Sequence, residues 1–140
     1  MVENGYPTAR FYIEIDGINN AVFTEAEGLQ VEVDVTEYKE GGSNGFVHRL
    51  PGRATISNLT LKRGLVQSNQ LFKWQLEVAQ GKVTRRNVSV VMYDPAGIEV
   101  LRWNLIKAYP VRWIGPAFRV GDNVIGIETL ELAHAGLEMG

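Results

Sequence analysis

Between residues 29 and 39 the chain alternates apolar and polar side chains. Val31, Val33 and Val35 take one parity; Gln30, Glu32, Asp34 and Thr36 take the other. Successive side chains of a strand point to opposite faces, so this run predicts a half-buried strand with one wet face. Residues 10–16 (RFYIEID) predict a second strand, closed by the turn pair Asp16-Gly17, with Val22, Phe23 and Thr24 continuing that pairing. Residues 54–63 are rich in β-branched side chains, but Ile56 is out of step with Leu59 and Leu61, which predicts a bulge at Ser57-Asn58. Residues 87–93 read as a buried strand, and Asp94-Pro95-Ala96-Gly97 as a turn. From 100 to 109, Leu101, Trp103, Leu105 and Tyr109 share one parity, and Pro110 either ends that strand or places it on an edge. A run over 111–118 is interrupted by Gly115-Pro116. The loop Gly121-Asp122-Asn123 then leads to a last strand over 124–134, beyond which 137–140 should fray.

One segment carries the helical period. Residues 69–80 place Leu71, Phe72, Trp74, Leu76, Val78 and Ala79 on more than a single stripe, with Ser68 as N-cap and Gly81 at the C-terminal end. Such a helix packs on a sheet along one side and on something else along part of the other. One helix among six to eight strands predicts a mainly β domain, an antiparallel β-barrel or sandwich with the helix on one side. At 140 residues, with no internal repeat or boundary signal, the chain reads as a single domain, 1–140, with 1–9 as an N-terminal arm.

The connection after Lys39 is the unusual stretch. Strands that need only a turn are joined by about two to five residues. Here roughly thirteen intervene, since Pro51-Gly52 stops the apolar run and the next strand starts near Arg53. The stretch begins with Glu40, Gly41, Gly42, Ser43, Asn44 and Gly45 and continues with Phe46, Val47, His48, Arg49 and Leu50. The glycines let the backbone turn out of the sheet. The apolar and cationic residues that follow distinguish the stretch from a bare flexible linker. It reads as an extended arm over 39–53 that completes its fold against a neighbouring copy, with Phe46 and Leu50 as anchors and His48 and Arg49 as polar register.

Composition removes several functions. Fourteen Lys+Arg against sixteen Asp+Glu give a formal charge of −2, without the basic face of a nucleic-acid binder or the polybasic cluster of a lipid-surface binder. The absence of cysteine excludes disulfides, thiolate chemistry and cysteine-ligated zinc. The N-terminus lacks a leader pattern and no apolar run reaches membrane-span length, which predicts synthesis in the cytoplasm and no membrane insertion by the monomer.

Candidate chemistry is equally sparse. His48 and His134 lack metal-ligand spacing and read as hydrogen-bonded interface residues. Glu32 and Asp34 share a face but read as solvated, and Glu128 and Glu131 fall on opposite faces, unsuited to acid–base partnership. The glycines of 41–45 lack the Lys-Ser/Thr and following helix of a phosphate loop. Lys62-Arg63 and Arg85-Arg86 read as solvated strand ends or intersubunit ion pairs. Trp74, Trp103 and Trp113 read as core or subunit-contact residues. No catalytic site, metal site or cofactor site is predicted.

Several blocks in order (TEAEGL, GGSNGFVHRLPG, LTLKRG, RRNV, RWN-x5-YPVRW and ETLELAH) resemble the inner-tube proteins of contractile injection systems, relatives of contractile-phage tail-tube proteins found in extracellular, phage-tail-like particles. The resemblance runs from about residue 11 to 137, and nothing is carried over to 1–9. It implies hexameric rings stacked into a hollow inner tube, surrounded by a contractile sheath that drives it through a target envelope. It implies baseplate, spike and cap proteins at the ends and protein cargo in the lumen. The segment over 39–53 would reach the adjacent ring, and the helix over 69–80 would sit on the tube's outer side. Such a subunit ends in an assembled particle, extracellular or membrane-anchored. The alternatives are a true phage tail tube or a baseplate-proximal tube starter and, from another class, a monomeric β-barrel with a ligand in its mouth.

Overall fold

The computed structural model describes residues 10–18, 23–39, 47–64, 68–118, 120–121 and 126–140. In chain order it contains β1 (Arg10–Ile15), β2 (Glu25–Glu27), β3 (Val31–Lys39), β4 (Val47–Ile56), β5 (Leu59–Gly64), α1 (Gln70–Ala79), β6 (Arg86–Tyr93), β7 (Glu99–Ile114), β8 (Ile127–Ala133) and β9 (Gly136–Met139). Neighbouring strands run in the order β1-β6-β7-β8-β5-β2, with β9 beside β7, and every pairing is antiparallel. The hairpin β3-β4 forms a separate two-stranded sheet. The expected mainly β architecture with one helix is therefore present.

β7 organises the body. Its first part pairs with β6 and its last part with β8, so one long strand joins the two halves of the seven-stranded sheet. Between them Ile106 and Lys107 oppose the single residue Asn87, a bulge that turns the strand. Lys107 sits there at φ 51°, and its backbone N–H donates to Asn87 Oδ1 at 3.1 Å. Pro110 does not end this strand, which runs on to Ile114: it is fully buried and paired with Leu132 of β8. It is accommodated at a second register shift, between Pro110 and Arg112, where the ladder already skips a residue. The expected fraying beyond 137 is also corrected. β9 continues β8 along β7, pairing Trp103 with Met139 and Ile106 with Gly136.

The core lies between the sheets and the helix. Leu59 and Leu61 of β5, Val88 and Val90 of β6, Leu105 of β7, and Leu130 and Leu132 of β8 meet Leu71 and Trp74 of α1. Leu71 and Trp74 are three apart, so they share a helix face, and α1 packs on β7. Trp74 Nε1 donates to the Thr84 carbonyl at 2.7 Å, satisfying its polar end. Phe72 and Leu76, on the other flank, stay largely exposed. The helix N-cap is Asn69, without a capping side chain; Ser68 Oγ only accepts from the Gln70 N–H at 3.4 Å. Gly81 follows the helix at φ 96°, as a C-terminal glycine should.

An ion pair is buried in this core. Arg63 and Glu128 are cross-strand partners on β5 and β8, with Arg63 Nε donating to Glu128 Oε2 at 2.8 Å. Trp113 Nε1 donates to the other carboxylate oxygen at 2.7 Å, and the Arg63 guanidinium lies over the Phe23 ring. Arg63 is thus not the solvated strand end expected of a Lys-Arg pair. Neighbouring residues of a strand face opposite ways, so Lys62 takes the wet side, near Glu25 and Glu27, while Arg63 enters the core. On the outer side of the β1-β6-β7 sheet, Arg102 bridges Glu14 and Glu99, and its hydrogen bond holds the Glu99 carboxyl below its ordinary range.

Removing one partner of a buried pair strands the other charge. Glu128→Ala should cost about 3–5 kcal/mol, read as a fall in the urea midpoint. The double change Arg63→Met with Glu128→Leu should recover most of that loss. Equal losses in the single and double variants would show that the pair is not coupled.

Candidate functional site

The hairpin is the element without a core. Residues 31–37 of β3 and 49–56 of β4 are exposed throughout, and no other element packs substantially on either strand. Val31, Val33 and Val35 retain 57%, 50% and 60% of their surface. Register places them beside Ile56, Ala54 and Pro51, so one face of the ribbon is a continuous apolar row. The opposite face carries Glu32, Asp34 and Thr36, with Gln30 hydrogen-bonded to Glu32 just below. The alternation read from the sequence is therefore present, but the valine face is not half-buried within its own domain. Alternation reports that a strand has two faces; it does not say which molecule covers them.

The expected arm is mostly strand. Pro51-Gly52 does not stop an apolar run, because β4 continues through both residues to Ile56. The register slips between Val33 and Val35, where Asp34 alone opposes Gly52 and Arg53, and this bulge accommodates the Pro-Gly pair. Lys39 pairs with Val47 and Tyr38 with His48, so the hairpin extends to its tip with backbone hydrogen-bond pairing. Arg49 Nε lies 3.1 Å from Glu37 Oε1, an exposed contact of little energetic weight, and Leu50 is exposed. Glu40, Gly41, Gly42, Ser43, Asn44, Gly45 and Phe46 lie outside the described residues, as do 1–9 and the part of the last loop over 122–125.

The root of the hairpin is held firmly. The predicted bulge at Ser57-Asn58 is instead a sheet crossing: β4 ends at Ile56 in the ribbon and β5 begins at Leu59 in the body. The Ser57 N–H donates to the Gln30 carbonyl, and Asn58 Nδ2 donates to Glu131 Oε2 at 2.8 Å. Gly28 adopts φ 107°, and a Cβ there would fall 2.1 Å from the Asn58 carbonyl oxygen, so the chain crossing needs glycine. His134, between β8 and β9, places Nε2 at 2.9 Å from the Ser57 carbonyl and Nδ1 at 3.1 Å from the Gly136 carbonyl. Both ring nitrogens lie within hydrogen-bond distance of backbone carbonyls, one at the hairpin root and one in the last strand, so this histidine links the two.

Glu128 and Glu131 point to opposite faces as expected, one buried and one half-exposed. Among the described residues, no cluster of three or more His, Asp or Glu side chains could hold a metal ion, and no helix is long and apolar enough to cross a membrane. Sequence reasoning missed the stapling role of His134. The signal available was its place between the two halves of the C-terminal strand, opposite Ser57.

His134→Ala should remove the staple while leaving the core in place. The expected loss is about 1 kcal/mol, with faster hydrogen exchange at the Ser57 amide than at amides of β6. Unchanged exchange at Ser57 would mean that the ring does not hold the root.

Residues 7–138 match the family described as T4-like virus tail tube protein gp19. Among solved structures, the chain is similar to one in the sheath/tube terminator of an extracellular contractile injection system, PVC, in the extended state. The two are 25% identical, with 100% of this chain and 99% of that one covered and a TM-score of 0.87. It is also similar to a chain of the anti-feeding prophage baseplate: 26% identity, 99% and 97% coverage, TM-score 0.83. Hcp1 from Flavobacterium johnsoniae shares the fold at 15% identity, 93% and 94% coverage and a TM-score of 0.56. No curated protein matches the chain.

Proposed function

Because this chain belongs to the T4-like virus tail tube protein gp19 family, we propose that its exposed hairpin is the device by which one tube subunit grips another. The chain is a structural subunit of a contractile-injection-type tube and not an enzyme. Its relatives come from sheath–tube, baseplate and cap complexes, which supports self-assembly in the company of those components.

The observation that carries the hairpin's role is the uncovered row of Val31, Val33, Val35 and Ile56. An isolated two-stranded hairpin is marginal in water, and one with an exposed apolar face acquires a core only from another molecule. In our reading six copies close into a ring, and the single domain 1–140 is the repeating unit. The hairpin, including 40–46 at its tip, lies against the adjacent ring. Ring contacts of this kind are heterologous, and rotation closes them. The polar faces of the hairpin and of β5-β8 (Glu32, Asp34, Lys62, Glu131) line a hydrated channel that passes protein cargo. The assembled particle is phage-tail-like, and the subunit is synthesised in the cytoplasm.

Two variants test the hairpin. Val33→Asp with Val35→Asp should leave the unfolding free energy of the unassembled chain within about 0.5 kcal/mol of wild type, since neither side chain is in the core. The same variant should fail to give rings or tubes by light scattering and negative-stain imaging. Normal tubes from it would remove the valine row from the interface. At the tip, Phe46→Ala should weaken stacking by about 1–3 kcal/mol per contact, as for an interface anchor. Unchanged tube stability to denaturant would exclude Phe46.

A further inference from the structure

Two acceptors meet one imidazole at the hairpin root. His134 Nε2 lies 2.9 Å from the Ser57 carbonyl oxygen and Nδ1 lies 3.1 Å from the Gly136 carbonyl oxygen. A backbone carbonyl only accepts hydrogen bonds. A neutral imidazole has one N–H and one in-plane lone pair, so it donates to one of these oxygens and turns a lone pair toward the other. The imidazolium carries a proton on each nitrogen and donates to both. The arrangement is complete only with the charged ring.

Neither carbonyl turns away freely. Ser57 is held by its own N–H, which donates to the Gln30 carbonyl at 3.1 Å, and by the neighbouring Asn58, whose amide donates to Glu131. Gly136 pairs with Ile106 in the β7–β9 ladder, and the Ala135 N–H beside it donates to the Ile106 carbonyl at 2.8 Å. The ring itself is half-buried. The charged groups on the elements around it are Glu27 of β2, Glu32 of β3, Lys107 of β7, Glu131 of β8 and Glu138 of β9. Glu27 lies beside Lys62, Glu32 takes the Gln30 amide and Glu131 takes the Asn58 amide. Among the described residues, none of the five forms an ion pair with the ring, whose contacts are the two carbonyls. A lone pair turned toward a fixed carbonyl leaves a polar group without its partner, and adding a proton turns that contact into a charge-assisted hydrogen bond.

We propose that His134 is a proton-gated clip, joining the hairpin root to the last strand through two hydrogen bonds when the ring is charged and through one when it is neutral. The two-bond form holds the extra proton, so acid favours the closed root, and closure weakens as the pH rises and the ring discharges. The clip works within one chain and does not depend on the tube reading. Its consequence for docking, a hairpin presented more firmly in acid, rests on that reading.

The test is amide hydrogen exchange on the full chain across a pH series, with the His134 ring followed by its own nitrogen NMR signals. Protection at the Ser57 amide is divided by that at β6 amides, which removes the general dependence of exchange on pH. This ratio should fall by about fivefold, the worth of one hydrogen bond, as the ring loses its proton. In His134→Gln, whose amide keeps a donor but does not titrate, the ratio should stay flat. His48 is the chain's other histidine, and His48→Gln should keep the full change. A flat ratio in wild type, or the same change in His134→Gln, overturns the clip. Loss of the change in His48→Gln places the sensor in the outer hairpin and overturns it as well. So do nitrogen shifts of a neutral ring at the acid end, where protection at Ser57 is greatest. If His134→Gln does not fold by circular dichroism, His134→Asn takes its place. A chain that forms no rings at any pH defeats the tube reading and leaves the exchange ratio to decide the clip.

Discussion

One long strand has to hold the two halves of a sheet together, and the rest of the body follows from how it does so. β7 pairs with β6 along its first part and with β8 along its last, and the Ile106–Lys107 bulge turns it between them. Leu105 and Leu130 face one core with Leu71 and Trp74. Asn87 pins the bulge by accepting the Lys107 N–H, so a short polar side chain on the neighbouring strand holds the bulged backbone. The buried Arg63–Glu128–Trp113 group then ties β5, β8 and β7 at one level of that core. A buried carboxylate with both oxygens bonded tolerates few alternative registers, so the group specifies alignment more than it adds stability.

The body was legible in the sequence wherever local period and burial agree. The helix over 69–80, the turn at Asp94-Pro95-Ala96-Gly97 and the strand over 87–93 are all found. Errors gather where a residue's usual meaning is overridden by its place in a ladder. Pro110 and Pro51 both lie inside strands, each beside a register slip that removes the demand for its missing N–H. The C-terminal residues pair with β7 because β8 has already brought them alongside it. A Lys-Arg pair reads as one patch in the sequence, whereas the strand period sends Lys62 and Arg63 to opposite faces.

The candidate interface was legible in a different way. The valine row of β3 and the long excursion after it both stood out from the sequence, and both belong to one hairpin. What the pattern could not supply was the identity of the cover. An apolar face written into a strand looks the same whether its own chain or another copy buries it, and the exposure of Val31, Val33 and Val35 shows that its own chain does not. The match to a tail tube protein family gives that exposure its context.

The separation of the hairpin from the body also bears on how a tube would begin to grow. Among the described residues the ribbon is tied to the body at its root, through Gln30, Ser57, Asn58 and His134, and it gains further ordering when something docks on it. The entropy of that ordering falls on the docking step, not on the folding of the chain. A pair of free subunits meets that cost with few contacts, whereas a subunit landing on a finished end meets it against a preformed surface. Elongation is thereby favoured over spontaneous initiation, so that the timing and number of tubes pass to whatever component offers the first template.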